Sequence, residues 1–333
     1  MSTPPSRSAA SRTVATSYAS AAGNARAGRA APGQALCTAV LFGLGLLWGL
    51  QIVLLRMLAT AGVDETGALA PALTLCAAAF AAVLAARGGL FRPTRSEAAY
   101  FVLAALFGFV VPLGGAAAAA SAMPAGVVAF FESLTPVATV AILLALRWER
   151  VGRDRLFGVA LGTVGVAVLL LREFGRPESG WLHALPFAVA IPAAYAFDGI
   201  YVARFWPRRL NTLQVVTGQL AAAALIALPA WFVVGTPSAL FADWPAVRTP
   251  LAAFIGVTGV EIYLYILLLR LSGSMFVAFG SFIALPAGIA WGMALLDEWY
   301  PPHFWLAVAL SLAALALIAL PRQPARKPAR RRP

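Results

Sequence analysis

The sequence predicts an all-α polytopic membrane protein, with ten transmembrane helices arranged as two inverted five-helix repeats. Three observations carry that expectation. Hydrophobic residues make up 61% of the 333 residues, charged ones only 11%, and the mean hydropathy is +0.83. A soluble domain carries roughly 25% charged residues, so this composition cannot build a water-facing surface. Ten apolar segments, each near the ~20 residues that cross a bilayer as a helix, follow one another with short polar connections. The basic residues between those segments fall on alternate loops.

In order, residues 1–36 are rich in Ser, Ala, Gly and Arg and hold no acidic residue. They read as a disordered basic tail, although a transit peptide has similar chemistry and a targeting role stays open. The apolar segments are 37–57, 67–86, 97–117, 124–146, 155–172, 181–204, 211–234, 249–269, 274–296 and 303–320. The third and fourth are nearly fused. They are separated at Ala118–Pro124 because Ser121 and Pro124 offer a turn, and because 98–146 is too long for one crossing. Residues 321–333 form a second basic tail.

Placing the N-terminus in the cytoplasm tests the threading. Of the 25 Lys and Arg residues, only Arg56, Arg172, Arg176 and Arg248 then fall on the outer side. That side also collects Asp64, Glu65, Glu173, Glu178, Asp243, Asp297 and Glu298. The bias is the positive-inside pattern, and it predicts a multi-pass protein of the cytoplasmic (inner) membrane with both termini cytoplasmic. The net charge of +12 belongs to this topology and gives no reason to expect a nucleic-acid partner. Cys37 and Cys76 form no disulfide framework, and His183 and His303 stand alone, so no metal site and no cofactor is expected.

The stretch Met123–Glu149 has a counterpart at Ser274–Glu298. Each has small and aromatic residues first, then a proline, then an apolar run closed by glutamate. Glu149 and Glu298, and likewise Arg56 and Arg204, recur at nearly the same offset. The repeats are then 37–172 and 181–320. Five spans per half is an odd number, so the second half enters the membrane inverted, the arrangement on which many alternating-access transporters are built.

The first span, LFGLGLLWGLQIVLLRML, resembles the opening small–Trp–Gly helix of EamA-type proteins in the drug/metabolite transporter superfamily. The run Phe131–Leu170, with Pro136, Glu149, Gly158, Gly162 and Gly165, is similar to that family's fourth and fifth helices. The second half echoes it with departures. Pro286 stands twelve rather than thirteen positions before Glu298, and Pro301 and Pro302 replace the polar linker. The resemblance covers about residues 37–320. It implies ten helices in two inverted repeats and the movement of small metabolites or drugs, often coupled to ions or exchange.

Three carboxylates stand inside apolar spans: Glu132, Asp198 and Glu261. Such residues are costly unless paired, protonated or facing a wet cavity. They are expected either to line a central cavity that takes a polar or cationic substrate or a proton, or to hold the bundle by interhelical hydrogen bonds. Asp198 has the further option of pairing with Arg204. Trp48 and Gln51 share a helix face, as do Tyr195 and Asp198. Gln219, Tyr263, Tyr265 and Trp291 are further cavity candidates. Glu149, Glu298, Arg56 and Arg204 lie at helix ends, where capping and loop pairing are expected. Gly158, Gly162 and Gly165 predict close packing of span five, and Gly43, Gly45 and Gly49 the same for span one. Pro112, Pro124, Pro136, Pro192 and Pro286 predict breaks or bends.

These features point to a secondary transporter of a small organic solute, not an enzyme, working by alternating access with protons or a counter-substrate as coupling partner. The phosphate-binding Gly-x-x-x-x-Gly-Lys-Ser/Thr run is absent. The alternatives are an integral membrane enzyme acting on lipid-linked substrates, or a non-transporting scaffold. The former needs an interfacial catalytic cluster that these short, arginine-rich loops do not offer. The bilayer and the solute are the expected partners, and a homodimer stays open.

Overall fold

The structure is a computed structural model that describes residues 34–146, 153–173, 181–273, 276–277 and 280–319. The chain divides into two units, residues 1–39 and 40–333. The described part of the first is a single helical stretch, 34–39. Everything below concerns the second.

Among the described residues every regular element is helical. In order they are α1 (Gln34–Thr60), α2 (Glu65–Ala86), α3 (Arg95–Ala105), a π turn (Leu106–Val110), α4 (Val111–Ala122), α5 (Ala125–Glu132), α6 (Thr135–Ala145), α7 (Arg153–Glu173), α8 (Trp181–Phe205), α9 (Thr212–Val233), α10 (Ala239–Ala242), α11 (Trp244–Ser272), α12 (Ser281–Leu296) and α13 (Pro302–Ala319). Among the described residues, seven helical stretches are long and apolar enough to cross a membrane: 35–60, 65–86, 95–122, 125–145, 182–205, 212–233 and 244–272. Shorter apolar helices cover 156–165, 283–296 and 302–314. The chain is an all-helical, multi-pass membrane protein.

Helix starts follow from local chemistry. Asp64 caps α2 by accepting from the Gly67 amide at 2.7 Å. Thr94 with Glu97 and Asn211 with Gln214 form capping boxes on α3 and α9, each satisfying amides that a helix N-terminus leaves free. The stretch 125–145 is not one helix. α5 stops at Glu132, and α6 restarts at Thr135 with Pro136 in its first turn, where a missing N–H costs nothing. The Ser133 hydroxyl donates to the Phe130 carbonyl and the Thr135 hydroxyl to the Glu132 carbonyl, both at 2.7 Å. The break is thus satisfied internally, as a lipid environment requires. Pro286, by contrast, sits inside α12, and Pro192 inside α8.

The packing is pairwise. α2 lies on α9, α7 on α13, α5 on α12, and α4 and α6 on α8; α3 meets α9, and α2 meets α11. Small residues set the closest approaches. A Cβ on Gly49 would stand 2.5 Å from the Gly288 amide nitrogen, and one on Gly45 2.6 Å from the Ile283 Cβ, so α1 and α12 touch backbone to backbone. Gly162 faces Val137 and Gly165 faces Ser311 and Ala307 of α13; Gly158 is buried on the same helix. Gly43 corrects the expectation for span one. Nothing lies within 4 Å of where its Cβ would be, because it is two residues from Gly45 and therefore on another face of the helix.

Candidate functional site

The three carboxylates are buried: Glu132 is 8% exposed, Asp198 1% and Glu261 4%. Each stands well inside its span, and they come from α5, α8 and α11. Gln51 of α1 reaches across and donates its Nε2 to Glu261 Oε1 at 2.5 Å and to Thr258 Oγ1 at 3.0 Å. Thr258 lies one turn before Glu261 on α11, so both bonds fall on one face. Tyr265, one turn after Glu261, donates its hydroxyl to Asp198 Oδ2 at 2.9 Å and packs its ring against Trp48 at 6.1 Å between centroids. Half-buried Tyr195 is within electrostatic reach of Glu132, Glu261 and Asp198 together. Gln219 donates to the Tyr100 hydroxyl at 3.4 Å, and Tyr100 stacks on Tyr201 at 5.4 Å.

Each half of this cluster is incomplete. Asp198 Oδ1 and Glu261 Oε2 are buried without a hydrogen-bond partner. Among the described residues the Glu132 side chain makes no hydrogen bond and stands at the C-terminal end of a half-helix, where the backbone presents carbonyls. The bond that Asp198 accepts comes from Tyr265 rather than from Arg204, whose guanidinium lies over the Phe205 ring. Tyr263 stacks on Phe80 of α2 at 6.1 Å between centroids. Trp291 donates to the Leu46 carbonyl and braces α12 on α1.

Residues outside the expected set complete the site. Thr258 is one. Gly108 is another: a Cβ there would stand 2.9 Å from Asp198 Oδ1, so the carboxyl lies directly on the backbone of the π turn. π turns inside α-helices are frequent at functional sites. Spacing on α11 from Glu261 could have pointed to Thr258; nothing in the sequence marks the π turn.

The helix-end charges form separate contacts. Glu298, just beyond α12, accepts from the Ala125 amide at 2.9 Å and so caps α5. The Tyr300 hydroxyl accepts from the Gly126 amide at 3.0 Å and donates to Glu298 in turn. Burial and that carboxylate both push the Tyr300 phenol above its ordinary range. Arg56 stands 4.0 Å from Glu298 and donates to the Ala120 carbonyl. Glu149 lies outside the described residues. Elsewhere, Arg209 pairs with buried Glu97, an ion pair the sequence did not announce.

No family profile and no curated protein matches the chain. It is similar to a protein of known crystal structure, at 20% identity and a TM-score of 0.58, over 86% of this chain and 98% of that one. At that identity the likeness speaks for the fold alone.

Proposed function

We propose that the protein is a secondary transporter that moves a small organic solute by alternating access around the carboxylate cluster. The observation that carries this reading is a buried, donor-poor set of carboxyls assembled from both halves of the chain: Glu132 from α5, Asp198 from α8 and Glu261 from α11, with Gln51 of α1 bonded across to Glu261. Two further features support it. The span holding Glu132 is broken at that residue, and discontinuous helices supply substrate and ion sites in such transporters.

The packing also repeats with an offset of five spans. α2 on α9, α7 on α13, and α5 on α12 each join a span to its counterpart in the other half. The α4–α8 contact is matched by the Gln51 bond from α1 to α11, the α3–α9 contact by α2–α11, and the α6–α8 contact by the glycine seam of α1 on α12. Ten crossings in two inverted five-helix repeats, of the EamA type that the first span and the fourth resemble, account for this pattern. The orientation that goes with it places both termini in the cytoplasm.

Flux in proteoliposomes tests the assignment. Glu132→Gln and Glu261→Gln should abolish transport while leaving insertion and folding intact. Normal flux in both variants would remove the carboxylates from the mechanism, and product formed from a lipid-linked substrate would favour an enzyme instead.

A further inference from the structure

We infer that the groove between α2, α4 and α8 seats one membrane phospholipid whose headgroup carries a primary ammonium, a phosphatidylethanolamine. This site is separate from the carboxylate cluster and goes beyond the transporter reading. The cavity measures about 550 Å³, within the roughly 300–1,000 Å³ of ligand clefts. Its α4 wall is Val111, Gly114, Ala118 and Ala122, spaced three or four apart and so on one helix face. Two adjacent glycines show why it is open. A Cβ on Gly115 would stand 2.9 Å from the Phe187 carbonyl oxygen, so α4 presses on α8 there. A Cβ on Gly114 would meet only Leu69 Cδ2 of α2, at 3.9 Å. One side of the helix is packed and the next is bare. Close-packed interiors leave few voids larger than a water molecule, so an apolar one of this size calls for an occupant. Phe187, on the α8 wall, is 50% exposed, and in a chain that spans a membrane that exposure is to hydrocarbon.

The dimensions and the lining match a lipid. From Val111 to Ala122 the wall rises roughly 17 Å at 1.5 Å per residue. One leaflet takes up about 15 Å, half of the hydrocarbon core. The polar lining is gathered at one end. Glu65 opens α2, His183 lies in the first turn of α8, and Ser121 is the last residue but one of α4. Everything else along the groove is apolar or glycine. A long apolar trough with a polar rim at the helix ends fits an acyl chain with its headgroup at the interface. In the proposed orientation this is the outer leaflet.

The rim selects the headgroup. Among the described residues the side chains of Glu65 and His183 make no hydrogen bond or ion pair, with each other or with any neighbour. The Ser121 hydroxyl donates to the Ala118 carbonyl at 2.7 Å, which leaves its oxygen able to accept. The rim therefore offers acceptors at Glu65 and Ser121 and an imidazole donor at His183. An ethanolamine ammonium brings three N–H donors for the first two, and the phosphate beside it accepts from the third. No Lys or Arg lines the groove, and the Glu65 carboxylate repels a headgroup that is only anionic. Choline keeps the positive charge but has no N–H to donate.

The test is native mass spectrometry of the purified full chain, stripped of lipid in detergent. It is then given equal amounts of dioleoyl phosphatidylethanolamine, phosphatidylglycerol and phosphatidylcholine. One phosphatidylethanolamine should be retained per chain, about fivefold over either competitor, the ratio that a charge pair at a half-wet rim gives. Glu65→Gln should bring that ratio toward one. His183→Ala should weaken retention of all three lipids, since each carries the phosphate. Gly114→Leu fills the trough and should block retention, in protein that melts no lower than the parent, because its Cβ has room and leucine favours the helix. Equal retention of the three lipids would mean ordinary boundary lipid and overturns the site. A preference for phosphatidylglycerol overturns the headgroup assignment. Retention undiminished in Gly114→Leu places the lipid elsewhere. Unchanged selectivity in Glu65→Gln sinks the proposal however Gly114→Leu folds. Retention requires no flux, so these outcomes are independent of the transporter reading.

Discussion

Gly108→Ala tests whether the π turn exists to seat Asp198. A Cβ at this position would lie 2.9 Å from Oδ1, 3.0 Å from Cγ and 3.1 Å from Oδ2 of that carboxyl. Non-bonded heavy atoms settle at roughly 3.5 Å, so the methyl overlaps the whole carboxyl group rather than one flexible tip. Asp198 cannot retreat freely, because Tyr265 holds its Oδ2 at 2.9 Å. Overpacking of this kind costs about 1–3 kcal/mol, and loss of the tyrosine bond adds about 1 kcal/mol. The gain in helix propensity from glycine to alanine returns about 1 kcal/mol. The net expectation is a loss of about 1–3 kcal/mol, together with displaced ligand binding. In an Asp198→Ala background the overlap is gone and only the propensity gain remains, so the same substitution should become neutral or stabilising. Unfolding titrations in mixed micelles of the two single variants and the double variant measure the coupling, expected at about 2 kcal/mol or more. Equal effects of Gly108→Ala in the two backgrounds would refute the seating argument.

Other outcomes follow from the same geometry. Gly49→Ala places a methyl 2.5 Å from the Gly288 amide nitrogen and 2.8 Å from the Ala287 carbonyl carbon, atoms that only a backbone shift can clear. It should cost about 3 kcal/mol or block folding, toward the severe end of overpacked sites, whereas Gly43→Ala, with open space around it, should stabilise by up to about 1 kcal/mol; thermal unfolding of the pair decides. Burial pulls the Asp64 carboxyl upward, but hydrogen bonds from Thr66, the Gly67 amide and the Thr236 amide outweigh it and hold the group below its usual range. The stability this gives is present above the unfolded-state value near 4 and is lost as pH falls through the lower folded value. Asp64→Asn should therefore flatten the acid limb of a stability–pH curve below about pH 4, and an unchanged limb would contradict the assignment. Glu298→Ala strips the cap from Ala125, where side-chain caps contribute about 1 kcal/mol. A lowered melting temperature with raised amide exchange in the first turn of α5 is the expected signature.

How much of this was legible depends on whether the feature is a property of composition or of direction. The helices were readable because twenty apolar residues in a row have few other uses. Glu132, Asp198 and Glu261 were readable because an acid in such a run is an outlier that demands a reason. The break in the fourth span was half readable: Pro136 announced it, but the turn comes just before the proline, at Ser133 and Leu134, where small polar side chains take up the loose carbonyls. Gly43 is the place where spacing misleads. Two residues along a helix is just over half a turn, so Gly43 points away from the seam that Gly45 and Gly49 occupy.

The π turn was beyond reach for a different reason. Gly108 offers no side chain there, and an absence leaves no chemical mark in an alanine- and glycine-rich run. Asp198 packs in the space it leaves. Asp198 is held on one side by the Tyr265 hydroxyl and rests on the other against bare backbone, so one carboxyl oxygen is satisfied and the other is not. Glu261 repeats the arrangement with Gln51 as the donor. Two carboxyls from separate helices, α8 and α11, are therefore each fixed in place by a single neutral donor and left one bond short. A merely structural hydrogen-bonded core would gain by closing both, with an Asn, a Gln or a second donor of the kind already present nearby. Leaving both open is what a site requires if something else is to arrive, bond and leave.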